Sequence, residues 1–311
     1  MLKFASPRVC LVIALVGLTM FFATDTTQAE ESAGQGFTVS PPILELKANP
    51  GDQLEETVSL FNNGGNDLSI SATVENLKPM GEAGQVQVIG DSNEGLATLK
   101  DWVQVTHNTL SLPKNATKNV SFKIKVPDNA TPGGHFATIL FGTVSTGVDS
   151  TGSLISQKIG TLVLLTVSGQ ATETAQITKF SPEKNIFWEN KTVNFALKVK
   201  NEGNVYVQPR GFLVITNFFG KKVAEIAVDG KNILPTATRE IPIEYLPKYS
   251  FGPYTATLTM VYGGSNQNLN SAAGFWVIPW LPTLIVLIVI ALIFLARRRL
   301  YQAIRVLFGK D

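Results

Sequence analysis

Apolar and polar residues alternate with a period of two through most of the chain between residues 37 and 264. Val120, Phe122, Ile124 and Val126 are separated by Ser121, Lys123 and Lys125, which turns one face of an extended segment inward and the other to water. The same spacing recurs at Ile70, Ala72 and Val74, at Val193, Phe195, Leu197 and Val199, and from Tyr254 to Tyr262. Turn-forming groups punctuate these segments: Pro50-Gly51, Asn63-Gly64-Gly65, Pro132-Gly133-Gly134 and Gly263-Gly264. No sustained 3.6-residue pattern interrupts them. The prediction is an all-β protein of antiparallel, Ig-like sandwiches.

Three short matches in the same order point to two such sandwiches. Ala116 to Lys123 aligns with Ala237 to Glu244, and each is preceded by Leu-Pro, at Leu112-Pro113 and Leu234-Pro235. Gly134 to Ile139 aligns with Pro253 to Leu258, and Asn63-Gly64-Gly65-Asn66 with Asn201-Glu202-Gly203-Asn204. The expected domains cover 37–172 and 173–264, with an insertion or hairpin near 76–100. The polar run 265–274 reads as a flexible stalk.

The two ends differ from this middle. Lys3 and Arg8 precede an apolar stretch from Val9 to Ala23, and small residues lead to Ala29. Residues 1–29 therefore read as a signal peptide cleaved after Ala29. From Phe275 to Ala296 there is no charge, and Leu284–Leu295 is almost wholly Leu, Ile, Val and Phe. Such a run favours insertion by about 3–7 kcal/mol. A transmembrane helix is expected over 275–296, with Trp276 and Trp280 at the outer interface. Arg297, Arg298 and Arg299 would hold its cytoplasmic end, followed by a basic tail over 297–311. The rest of the chain would then lie outside the plasma membrane.

Charge and composition narrow the chemistry. The ends carry net charges of +1 (1–29) and +4 (297–311), which leaves −3 of the total of +2 for the middle. That excludes the clustered basic face a nucleic-acid binder needs. The single Cys10 excludes a disulfide framework, and His107 and His135 read as structural rather than as metal ligands. No nucleophile elbow, phosphate loop or metalloprotease motif occurs. Neither an enzyme nor a cofactor or metal site is expected. Aromatics are the remaining candidates: Phe187-Trp188, near the start of the second domain, and Phe218-Phe219, at a hairpin tip. They read either as filling of the core or of the joint between the domains, or, with Trp188, Phe218 and Phe219 exposed, as a contact patch.

The chain resembles the WxL-interacting proteins of Gram-positive cell surfaces. The resemblance rests on Phe37 to Leu46, Asn49-Pro50-Gly51, Leu112-Pro113, Val126-Pro127 and Pro132 to Ala137. It also rests on the order of leader, two sandwiches, one span and a basic tail. It implies an adhesion role in which the chain binds peptidoglycan, another cell-wall polymer or a surface protein non-covalently. Two other classes fit the same residues: an exported Ig-like chaperone or assembly factor using an open strand edge beside Pro41-Pro42, and an accessory subunit of a membrane complex.

Overall fold

The structure, a computed structural model, describes residues 36–90, 99–144, 158–247 and 251–307. The predicted leader and Ala29 lie outside the described residues. Two sandwiches follow one another. The first contains β1 (Phe37–Ser40), β2 (Ile43–Ala48), β3 (Gln53–Asn62), β4 (Leu68–Met80), β5 (Gln85–Gly90), β6 (Val103–Val105), β7 (Thr109–Leu112), β8 (Thr117–Lys125), β9 (Gly133–Thr143) and β10 (Lys158–Val167). Its sheets run β1-β3-β8-β6 and β2-β10-β9-β4-β5, with β7 also on β4. The second contains β11 (Ala175–Pro182), β12 (Ile186–Trp188), β13 (Val193–Asn201), β14 (Arg210–Asn217), β15 (Lys222–Val228), β16 (Thr238–Tyr245), β17 (Gly252–Tyr262) and β18 (Gln267–Ile278). Its sheets run β11-β13-β16 and β12-β18-β17-β14-β15.

The two plans match, except that the strands β6 and β7 of the first have no strand counterpart in the second. In each, the opening strand divides between the sheets. Its first part pairs antiparallel (β1 on β3, β11 on β13), and its second part runs parallel to the last strand (β2 on β10, β12 on β18). Pro41-Pro42 supply the first of these breaks, since proline offers no N–H to a ladder. Alternation follows the core: Val193, Phe195, Leu197 and Val199 are buried on the inward face of β13. β9 and the end of β10 depart from it, with Val163, Leu164 and Leu165 all fully buried. The second sandwich covers their outer face, where Leu77, Phe136, Leu164 and Leu234 form a third, inter-domain cluster.

A pair of buried asparagines explains the repeat and corrects its register. Asn62 and Asn201 are both fully buried. The Asn62 amide donates to the carbonyls of Asn66 (2.8 Å) and Leu112 (3.0 Å) and accepts from Gly64 N (2.9 Å). The Asn201 amide donates to Val205 (2.7 Å) and Ile233 (2.8 Å) and accepts from Gly203 N (2.9 Å). Asn62, not Asn63, is thus the counterpart of Asn201, and Leu112 matches Ile233 rather than Leu234. The Ala116–Ala237 match stands: each carbonyl accepts the N–H of its domain's buried asparagine.

The expected stalk and the start of the span are also corrected. Residues 267–278 are β18, paired with β17 from Gln267 to Val277. The second domain therefore ends at Ile278, not at 264. Phe275 and Val277, expected in the membrane, belong to the sandwich core, and Trp276 projects from the strand between them. The helix α1 is Trp280–Leu307, so the predicted tail continues it rather than starting a new element. Pro279 alone separates strand from helix, and its carbonyl accepts the Thr283 hydroxyl at 2.6 Å. The segment Trp280–Arg297 is long and apolar enough to cross a membrane, with a mean hydropathy of 2.5 and no part of it covered by the sandwiches.

Candidate functional site

The domains meet through five sets of contacts, which together fix a cleft between them. The turn of the β4–β5 hairpin, the element expected near 76–100, reaches the second sandwich. There the Glu82 carbonyl accepts Glu240 N at 2.7 Å, and its carboxylate pairs with Lys198. That hydrogen bond holds the Lys198 ammonium above its ordinary pKa. The Arg239 guanidinium lies against Gly84 and donates to the Asn232 carbonyl at 2.6 Å. Burial pulls its pKa below the ordinary value.

On β2, Glu45 accepts from Asn232 Nδ2 (2.7 Å) and from the Tyr206 hydroxyl (3.3 Å). At the mouth of β9, Gly134 N donates to the Asn204 carbonyl at 2.8 Å. Gly133 adopts φ +125, with Asn204 directly above it. The inter-domain connection is pinned as well. Asn204 Oδ1 accepts Thr172 N at 2.7 Å, and a Cβ on Gly203 would fall 2.1 Å from the Thr172 carbonyl oxygen. The inter-domain apolar cluster completes the joint. Hydrogen bonds at several separate points make this an elbow rather than a hinge.

Beside the connection lies a cleft of about 400 Å³. Lys47, Thr166 and Ser168 line it from the first sandwich, Tyr206, Gln208 and Arg210 from the second, and Glu173 from the connection. Lys47 and Arg210 are exposed, and neither forms an ion pair among the described residues. Glu173 is engaged, accepting Gly264 N at 2.8 Å. The cleft thus presents two cations that form no ion pair among the described residues, together with the Glu173 carboxylate, next to β2, a strand with a partner on one side only. Its chemistry suits a carboxylate carried on an extended chain. Among the described residues no group of three His, Cys, Asp or Glu side chains comes together.

Tyr206 gives the cleft a spectroscopic handle. Burial first, then the Glu45 carboxylate, push its pKa from 10.0 up to about 12. The neutral phenol is favoured in the folded chain, so its contribution is complete below pH 10 and is lost between 10 and about 12. In an absorbance titration, the difference between wild type and Tyr206→Phe is expected to show phenolate near pH 12. Glu45→Gln is expected to lower that midpoint only part of the way to 10, because burial is the larger cause. A midpoint at 10 in the wild type would show that Tyr206 is not seated against Glu45.

Few of the residues singled out in the sequence sit in this cleft. Trp188, Phe218 and Phe219 are exposed (53%, 73% and 86%) as a contact patch requires, whereas Phe187 is in the core. Trp276 lies on β18 and Trp280 opens α1; both are about half exposed. Arg297 rests over the Phe294 ring at 4.2 Å, and Arg298 and Arg299 continue the helix. His135 is buried, bonded to the Thr131 carbonyl at 2.8 Å and packed 4.3 Å from the Trp102 ring. Lys47 and Arg210 were not singled out, because their meeting depends on how the domains pack.

No protein-family model matches the chain, and no curated protein matches it. Solved structures similar to it include the class 5 fimbriae chaperone CfaA, 16% identical over 76% of this chain and 99% of its own, with a TM-score of 0.40. The E. coli chaperone DraB is 12% identical over 76% and 98%, at 0.38. The Pseudomonas aeruginosa CupB2 chaperone is 9% identical over 76% and 100%, at 0.37. At these scores the likeness decides nothing about a ligand, and no residue role is carried over.

Proposed function

We propose that the protein is a membrane-tethered, extracytoplasmic binding factor of the chaperone or assembly-factor kind, which holds a carboxylate-bearing segment of an exported polypeptide in its inter-domain cleft. The observation that carries this reading is the cleft itself, with Lys47 and Arg210 unpaired between two domains locked by hydrogen bonds. A locked elbow loses little entropy when a flexible segment settles into it. Two charge-assisted bonds to one carboxylate are worth about 3 kcal/mol or more. Helix α1 anchors the elbow in the membrane, and the apolar leader directs it outward.

A photoreactive residue in place of Gln208, which is exposed in the cleft, is expected to cross-link an exported polypeptide in cells. The same residue in place of Lys118, exposed on β8, is expected to form no such adduct. Equal adducts at both positions would sink the reading. The resemblance to WxL-interacting proteins implies a cell-wall polymer instead. Sedimentation of the protein with insoluble wall, unchanged by reversing Lys47 and Arg210, would favour that ligand.

A further inference from the structure

The most exposed aromatic side chains are gathered at one end of the second sandwich, the end from which α1 departs. Register places them there. Asn217, the last residue of β14, lies opposite Tyr254, and Tyr254 lies opposite Phe275. The hairpin tip carrying Phe218 and Phe219 therefore extends beyond the level of Phe275. Gly252 pairs with Val277, so Phe251 precedes it at the same end. On the other side Trp188 pairs with Ile278, and the next residue, Glu189, donates its N–H to the Ile278 carbonyl. Among the described residues outside α1, the three large apolar side chains more than 70% exposed are Phe218, Phe219 and Phe251, and all three are on this rim.

The tip is preformed. Asn217 Oδ1 accepts Phe219 N at 3.1 Å and Lys221 N at 3.0 Å. The two phenyl rings stand edge to face at 5.3 Å, held outward without cover. An exposed apolar pair fixed in this way costs solvation unless something apolar receives it.

The length of the helix says what receives it. The uncharged part of α1, from Trp280 to Ala296 just before Arg297, has 17 residues and rises about 26 Å, a few ångströms less than the roughly 30 Å hydrocarbon core. Only Pro279 lies between β18 and that segment, so there is no spacer to hold the sandwich off the bilayer. A short span draws its flanks toward the membrane, Trp rings favour the headgroup level, and Phe side chains suit the headgroup/acyl boundary just beneath it. Lys221, exposed beside the tip, suits anionic headgroups.

We propose that this rim is a second membrane-contact surface. Trp188, Phe218, Phe219 and Phe251, with Trp276 and Trp280, enter the headgroup layer of the leaflet into which α1 inserts. The sandwich is thereby seated on the bilayer in one orientation, with its opposite end facing away. This inference rests on α1 being a membrane anchor, and the test separates the two.

The processed chain, which begins after Ala29 and contains no cysteine, is labelled with an environment-sensitive fluorophore at Phe219→Cys, Phe251→Cys or, as the control at the opposite end, Asp229→Cys. Each is reconstituted into vesicles of phosphatidylethanolamine and phosphatidylglycerol. All three substituted positions are exposed in loops, so folding does not depend on them. Labels at 219 and 251 are expected to emit at shorter wavelength and to lose roughly half or more of their emission to shallow lipid-borne nitroxides, as groups 5–10 Å into the interface do. The label at 229 is expected to respond only to aqueous iodide. Protein that floats with the vesicles while all three labels respond to iodide alone would overturn the rim and leave the anchor standing. Labels at 219 and 251 shielded from iodide yet untouched by the nitroxides would show a protein occupant and overturn it equally. Protein that does not float with the vesicles would overturn both.

Discussion

A chain ending at Gly264 is expected to lose the fold of its second sandwich, whereas a chain ending at Pro279 is expected to be soluble, folded and released from the membrane. The difference is β18. It pairs along its length with β17 and carries β12 on its other edge, so its removal takes an internal strand from a five-stranded sheet and leaves β12 without its partner. Phe275 is 1% exposed and touches the rings of Phe187, Phe195, Tyr245 and Tyr254 at centroid distances of 5.6–6.3 Å. Deleting a buried Phe costs about 3–5 kcal/mol. Leu269 and Val277 are lost with it, and the sum is comparable to the whole stability of a domain, about 5–15 kcal/mol. Phe275→Ala in the full chain is expected to cost the same 3–5 kcal/mol. Circular dichroism melts and limited proteolysis check both. Indistinguishable cooperative melts for chains ending at 264 and 279 would refute the assignment of β18 to the core.

The second large effect is expected from a change of one functional group. Asn201→Asp keeps the shape of the side chain but replaces its amide N–H donors with a carboxylate. The carbonyls of Val205 and Ile233 then face a buried negative charge. Each buried polar group left unpaired costs about 1–3 kcal/mol, and an unpaired buried charge costs more. Asn201→Ala is expected to destabilise the second domain by about 3–5 kcal/mol. Asn201→Asp is expected to do more damage at neutral pH.

The new carboxyl would have a folded-state pKa above the ordinary value near 4. Its damage is therefore expected to be smallest below about pH 4 and to grow as pH rises through that folded-state pKa. Asn62→Asp is expected to do the same to the first domain. Chemical denaturation of each variant at two pH values measures this. Losses under about 1 kcal/mol would mean that these asparagines are not the knots of the two folds.

Much of the fold was legible in the chain because buried and exposed positions alternate in β3, β8, β13 and β17. Beyond that, particular residues misled. The last strand was read as a stalk because its inward positions include Ser271 and Ala273, too small to register as an apolar stripe beside Asn268 and Asn270. Its far end, Phe275 to Ile278, joined the membrane run because hydropathy sums cannot separate a buried strand from a span. Pro279 was the available signal, since a proline between an alternating run and a continuous one marks an element boundary. The repeat was misaligned by one because Leu-Pro matches as letters, whereas the duplicated feature is a set of hydrogen bonds from one buried amide.

The site was less legible than the fold. Trp188, Phe218 and Phe219 could be picked out as exposed aromatics, yet only strand register shows that they share one end with Phe251 and the root of α1. Lys47 and Arg210 are ordinary surface cations in sequence. The cleft they line exists because Glu45, Glu82 and Gly134 bind the second sandwich in one orientation.

The most direct test of that cleft is a binding titration of the full chain in detergent with a set of unstructured peptides, each made with a free terminal carboxylate and as the amide. The free acids are expected to bind, the amides to bind weakly, and the double variant Lys47→Glu, Arg210→Glu to lower affinity by about 100-fold or more. Equal binding of acid and amide, or an affinity unmoved by the double reversal, would contradict a carboxylate held between the two domains.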